Sequence, residues 1–188
     1  MCGDELPAIK KVARLRGKNL VFRNALFADA KFILELRTDP VKGAYLSHTS
    51  QQLADQEEWL LAYAQSVNQA YFIIENLDAV AIGTVRLYDA LANSFCWGSW
   101  ILKSSAPPFF AIESALMVYD YAIEHLGFSR AHFDVRRGNE SVWRFHERFG
   151  AVRVAETEED YFYEISLVSI QAARLRFQRY LPEKTSSF

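Results

Sequence analysis

Two side chains in the last third of the sequence have the types and spacing for proton chemistry. Asp134 lies in HFDVRRGN, where apolar Phe133 and Val135 alternate with His132, Asp134 and Arg136. In a strand, that alternation puts the carboxylate on the face opposite the core. His146 lies on a stretch with helical spacing, sharing a face with Val142 at i−4 and Phe149 at i+3, so it points toward packed structure. A carboxylate can take a proton from an ammonium, directly or through water. An imidazole, with a reference pKa of about 6.5, can be a donor to a leaving group. Each residue also has a plainer reading. Asp134 could only pair with Arg136 or Arg137, and His146 could be hydrogen-bonded inside the helix packing. Asn139 suits the N-cap of the helix that carries His146.

The elements that must position these residues follow from apolar periodicity. Residues 19–24 read as a short strand, and Phe32, Ile33 and Leu36 as a helix from Asp29 that stops at Asp39-Pro40. A second helix runs from Gln51 to Val67. The period then shortens, giving strands over 71–75, 79–89 and 95–103 that would form an antiparallel meander. A Pro-containing loop leads to a strong helix from Phe110 to Leu126, capped by Gly127. A strand over 130–136, a helix from Asn139 to Phe149 ended by Gly150, and closing strands in AVRVAE and DYFYEISL follow. A basic amphipathic helix, Ile170 to Leu181, ends at Pro182. Residues 1–18 read as a mobile lead. The expectation is one mixed α/β domain over 1–188, with a central, partly antiparallel sheet and a C-terminal helix over 168–181.

Composition narrows the classes. The 188 residues are 51% apolar and 23% charged, with a net charge of −2, which argues against disorder and against a dedicated nucleic-acid binder. No apolar run suits a membrane span, and the N-terminus does not read as a signal peptide, so a cytoplasmic protein is expected. Cys2 and Cys96 have no zinc-like spacing, so no metal is expected, and Cys96 beside Trp97 reads as structural. Aromatic residues make up 14% of the chain, a surplus that serves cores and ligand pockets alike.

Four pieces of the sequence, in this order and spacing, resemble the GNAT acyltransferase superfamily, especially its ribosomal-protein N-terminal and amino-sugar acetyltransferase branch. They are LVFRNALFADAKFILELRTDP, WGSWIL, AIESALMVYDYAIEHLGFSRAHFDV and RRGNESVWRFHERFGA. The resemblance spans Leu20 to Leu167 and implies a GNAT-like fold with a twisted, mostly antiparallel sheet of about seven strands. It implies an N-acetyltransferase that moves acetyl from acetyl-CoA directly to a primary amine. The acceptor would be a nucleotide-linked amino sugar or a protein N-terminus, bound by a monomer or homodimer. Under it Asp134 would be the base, and His146 would stand where many members have the tyrosine that protonates the departing thiolate. Asn139 would contact the cofactor arm, and the main chain of Trp100, Ile101 and Leu102 would bind pantetheine. Trp97 and Ser99 alternate away from Trp100, so opposite facings are expected.

The family's Gly-rich phosphate turn is the departure. Here Pro107 and Phe109 stand where glycine is expected, and only Ala111 is kept. The remaining donors would be the N–H groups of Phe109, Phe110, Ala111 and Ile112, helped by Lys103, Ser104 and Ser105. The bland alternative is a loop that merely connects strand to helix and binds no ligand. A separate rival is a GNAT-like domain that no longer catalyses and serves as an acyl-CoA- or partner-binding module. Arg37, Tyr45, His48, Thr49, Phe72, Arg86 and Tyr88 are the candidates for the acceptor pocket.

Overall fold

The computed structural model describes residues 6–41, 43–46 and 50–183. His48 and Thr49, expected near the acceptor, lie outside the described residues. The chain opens with β1 (Arg14–Arg16) and β2 (Leu20–Asn24), then α1 (Ala30–Arg37) and α2 (Leu53–Gln65). A meander follows: β3 (Ala70–Asn76), β4 (Ala81–Leu91) and β5 (Ser94–Leu102). After it come α3 (Phe109–Asp120), β6 (Arg130–Arg136) and α4 (Glu140–Phe149). The chain ends with β7 (Val152–Glu156), β8 (Asp160–Ser166) and α5 (Leu167–Arg176).

All eight strands join one sheet in the order β1-β2-β3-β4-β5-β6-β8-β7. Every neighbour is antiparallel except β5 and β6. One face carries Phe22, Phe72, Val85, Trp97 and Phe133 under α3, α4 and α5, in the larger core. The other carries Tyr71 and Ile73 under Ile33 of α1 and Leu60 and Tyr63 of α2. Alternation along each strand sorts the two sets, as a sheet covered on both faces requires.

Three expectations need correction. The count of about seven strands missed β1, which pairs Arg14 with Arg23 and Arg16 with Val21. Part of the stretch read as a mobile lead is therefore docked. Ile9 is buried, Lys11 Nζ donates to the carbonyls of Ala64 and Ser66 near the end of α2, and the Tyr121 hydroxyl donates to the Lys10 carbonyl. Buried Glu113 fastens the β1–β2 turn by accepting from the N–H groups of Asn19 and Leu20 and from the Asn19 amide. A Cβ at Gly17 would lie 2.8 Å from that carboxylate and 2.5 Å from Met117 Sδ, so the close approach needs glycine. The last helix starts earlier than expected because Ser166 caps it, its hydroxyl accepting from the Ser169 N–H. Beyond Arg176 the chain makes only a 3-10 turn at Gln178–Tyr180. No described helix is long and apolar enough to cross a membrane.

Candidate active site

The sheet opens in its middle. Strands β5 and β6 pair only through Ser94–Arg130, Phe95–Ala131 and Cys96–His132. Beyond that point β5 stays with β4, pairing Gly98 with Arg86 and Ile101 with Thr84, while β6 stays with β8. The two strands separate into a V. Among the described residues, the edge of β5 past Cys96 that faces the V has no strand partner. A cleft of about 190 Å³ occupies this opening and reaches both faces of the sheet. From the α4 side it is lined by Asn139, Val142 and His146, and from the other by Arg37, Tyr45, Tyr88 and Asp134.

A bulge shapes one wall. Two residues of β5, Ser99 and Trp100, oppose the single Val85 of β4. Ser99 takes a φ of +46°, and its carbonyl accepts from the Thr84 hydroxyl at 2.8 Å. The extra residue reverses the alternation that sequence reading assumed. Trp97 and Trp100 therefore end on the same side, with ring centroids 5.3 Å apart, and both line the cleft. The Ser99 hydroxyl meets Arg37 Nη1 at 3.3 Å, which brings α1 to the cleft.

Asp134 stands on the wall that β6 contributes. The plainer reading, a pairing with Arg136 or Arg137, does not hold. Arg136 pairs with Glu159 and Asp160, and Arg137 donates to the Thr157 carbonyl and lies over the Tyr161 ring. No ion pair with Asp134 occurs among the described residues. Partial withdrawal from water, and then the nearby Asp160 carboxylate, raise its pKa above the usual aspartate value.

His146 is buried in a box of rings. Its centroid lies 4.2 Å from Phe133, 5.1 Å from Trp97 and 5.6 Å from Phe145. Its Nδ1 is buried without a partner among the described residues, so the reading of a histidine satisfied within helix packing also fails. Burial pushes the imidazole pKa down to about 3, which keeps the ring neutral at physiological pH.

Asn139 sits at the N-cap of α4, but its side chain makes no cap hydrogen bond. Its carbonyl accepts from the N–H groups of Val142 and Trp143, and the residue lines the cleft. Tyr88 is a signal the sequence carried through Gly98. A Cβ there would sit 2.8 Å from the Tyr88 hydroxyl, so the glycine makes room for that ring at the cleft. Cys96, opposite Tyr88 in the sheet, is buried and its thiol is pushed up to about 12, so it is no nucleophile.

Two expected acceptor residues are elsewhere. Phe72 is fully buried, stacked on Phe22 at 5.6 Å and edge-on to Tyr121 at 5.8 Å, because its strand position points to the larger core. Arg86 donates to the Gln69 side-chain oxygen and lies over the rings of Trp59 and Tyr88, behind the cleft wall. Tyr45 does reach the cleft and also packs against the chain at Gly138, where a Cβ would come within 3.1 Å of its ring.

In the glycine-poor turn, the N–H groups of Phe110 and Ala111 already bond to the carbonyls of Pro107 and Pro108. Phe110 is buried in the core, and Phe109 stacks on Tyr180 with centroids 5.8 Å apart. The two phenylalanines thus tie the start of α3 to the C-terminal turn. Lys103 donates its N–H to the Ile82 carbonyl and places its ammonium over the Phe32 ring.

An open V between two central strands, with a carboxylate and an aromatic-boxed histidine on its walls, is matched by sequence as well. An acetyltransferase (GNAT) domain matches residues 19–152. The chain belongs to the GNAT acetyltransferases. The structure of apo FdhC, described as a nucleotide-linked sugar GNAT, is 35% identical. That match covers 90% of this chain and 98% of the other, with a TM-score of 0.80. A GCN5-related N-acetyltransferase from Brucella melitensis shares the fold at 14% identity and a TM-score of 0.77, over 96% of this chain and 90% of its own. A chimeric spermidine N-acetyltransferase SpeG from Vibrio cholerae and hSSAT does so at 17% and 0.71, over 82% and 99%. No protein of curated function matches the sequence.

Proposed function

We propose that this GNAT acetyltransferase moves an acetyl group from acetyl-CoA directly to the primary amine of a nucleotide-linked amino sugar. The observation that carries the reading is a cleft through the sheet that holds Asp134 on one face and His146 on the other. Two reactants entering from opposite faces can meet there without a covalent enzyme intermediate. The amino-sugar acceptor rests on the 35% identity to a protein described as a nucleotide-linked sugar GNAT.

The edge of β5 fits the donor's arm, whereas the N–H groups of Phe110 and Ala111, expected to hold its pyrophosphate, are taken by the carbonyls of Pro107 and Pro108. The unpaired edge of β5 offers main-chain groups from Trp97 to Leu102 to an extended pantetheine arm, as an added strand would use them. When bound, the donor supplies an activated thioester carbonyl. Asp134 accepts the proton of the ammonium, and the short side chain favours a bridging water. That proton then passes to solvent. The second N–H proton, lost from the nitrogen as the sulfur departs, is taken by water, so that one net proton is released once the thiolate is protonated. His146, neutral in its ring box, serves as a hydrogen-bond donor toward the departing sulfur rather than as an imidazolium acid. A thiolate with a pKa of about 8.5 can take its own proton from water.

Thermal melting with acetyl-CoA, followed by thiol release with a panel of amines, tests this reading. A donor at about 100 times its Kd should stabilise the fold by about 2.7 kcal/mol and raise the melting temperature. Thiol release should appear with nucleotide-linked amino sugars and exceed that with polyamines or peptides. No shift at millimolar acetyl-CoA would refute the donor, and release only with polyamines or peptides would refute the acceptor.

A further inference from the structure

Among the described residues, the sheet face that carries His132, Asp134 and Arg136 beside the cleft lies outside both hydrophobic cores. On β6 the residues that face away from the larger core are His132, Asp134 and Arg136, while Phe133 and Val135 pack into it. The buried helices on this side, α1 and α2, cover Tyr71 and Ile73 of β3 instead. Strand β8 continues this face with Phe162, which lies directly opposite Asp134 in the antiparallel pairing. Side chains paired in this way share a face and stand about 5 Å apart at Cβ. On its other flank Phe162 faces the small side chain of Ala155 on β7. Phe162 keeps 37% of its surface exposed, and Val152, further along β7, keeps 63%.

Phe162 belongs to neither hydrophobic core, and more than a third of its surface is exposed. Its place is what gives it a use. An acceptor that extends from Asp134 over β8 meets this ring, the cross-strand neighbour of that carboxylate. A flat ring with a small neighbour offers its face to another flat apolar surface, such as a nucleobase or the apolar side of a pyranose.

We propose that Phe162 is the stacking platform for the acceptor, holding a ring of the nucleotide-linked amino sugar while its amine reaches Asp134. This placement rests on the acceptor class given under the proposed function. It assigns specificity to β8, a strand outside the cleft lining, and it makes the sheet face part of the acceptor site.

The test is steady-state kinetics of Phe162→Ala and Phe162→Trp with acetyl-CoA and a nucleoside-diphosphate-linked amino sugar, alongside melting temperatures. Loss of one stacked ring should raise KM for the acceptor about tenfold in Phe162→Ala. KM for acetyl-CoA and the melting temperature should stay within error, and Phe162→Trp should restore acceptor KM. An acceptor KM within twofold of wild type would overturn the platform. So would a rise in both KM values with a lower melting temperature, which would give the ring a structural role. A dimer that Phe162→Ala dissociates would assign the face to a second copy and overturn it as well. If the wild type acetylates only polyamines or peptides, the acceptor class falls. A polyamine or peptide amine carries no such ring to stack, so the platform falls with the acceptor class in that case. An unchanged acceptor KM in Phe162→Ala with an amino sugar that the wild type acetylates removes the platform alone.

Discussion

Replacing Asp134 with asparagine is expected to lower kcat/KM at pH 7 by about 100-fold, within the usual range for loss of a general base. The substitution keeps size and shape, so the cleft wall and the melting temperature should change little. The acceptor amine must lose a proton before it can attack, and its own pKa lies between about 8 and 10.4 for ordinary amines. In the variant only the fraction already neutral can react, so its rate should climb with pH and approach wild type near pH 10. In the wild type, activity falls as pH drops through the carboxyl pKa. Desolvation and Asp160 raise that pKa, so the acid limb should lie above the ordinary aspartate value. A pH series of kcat/KM on both proteins reads all of this. Equal rates at pH 7 would remove Asp134 from proton transfer.

His146 is expected to make the fold acid-sensitive. Its folded-state pKa, near 3, lies below the unfolded value of about 6.5. Below about pH 6.5 the unfolded chain binds a proton that the folded chain refuses, so stability falls as pH falls, by about 1.4 kcal/mol per unit, until the folded pKa is reached. Between pH 6.5 and 4.5 the wild type should lose about 2 kcal/mol more than His146→Phe, whose ring suits the box of Trp97, Phe133 and Phe145. Urea melts at the two pH values measure the difference. The same variant should lose turnover at least about tenfold, since phenylalanine offers no N–H to the leaving sulfur. The wild-type kcat profile should show no limb near pH 6.5, because the ring never titrates there. Equal acid sensitivity in the two proteins would mean that His146 is not held neutral by burial.

Much of the fold was legible because its signals are local. Apolar period fixed β6 at its observed bounds and α4 within one residue; Gly150 ends α4 with a φ of +96°, and Gly127, at +83°, follows the π turn Tyr121–His125 that continues α3. What was missed depends on contacts distant in sequence. Strand β1 has three residues, two of them arginines, and exists because β2 lies beside it and Glu113 ties down the turn between them. The Ser99 bulge is equally silent in the periodicity, and it alone puts Trp97 and Trp100 on one side.

The site divides along the same line. Asp134 and His146 could be placed because strand and helix periods state which face a residue takes. Phe72 and Arg86 could not, since the face of β3 and β4 that meets the cleft depends on where the sheet splits. Aromatic surplus has several separate uses: Trp97, Trp100 and Phe145 surround His146, Phe109 holds Tyr180, and Phe162 remains open beside Asp134.

The central claim is that donor and acceptor occupy the two faces of one cleft together. Initial velocities measured over a grid of acetyl-CoA and acceptor concentrations test it most directly. Direct transfer requires both reactants on the enzyme at once, so double-reciprocal lines should intersect. Parallel lines, the pattern of a ping-pong reaction through an acetylated enzyme, would contradict it.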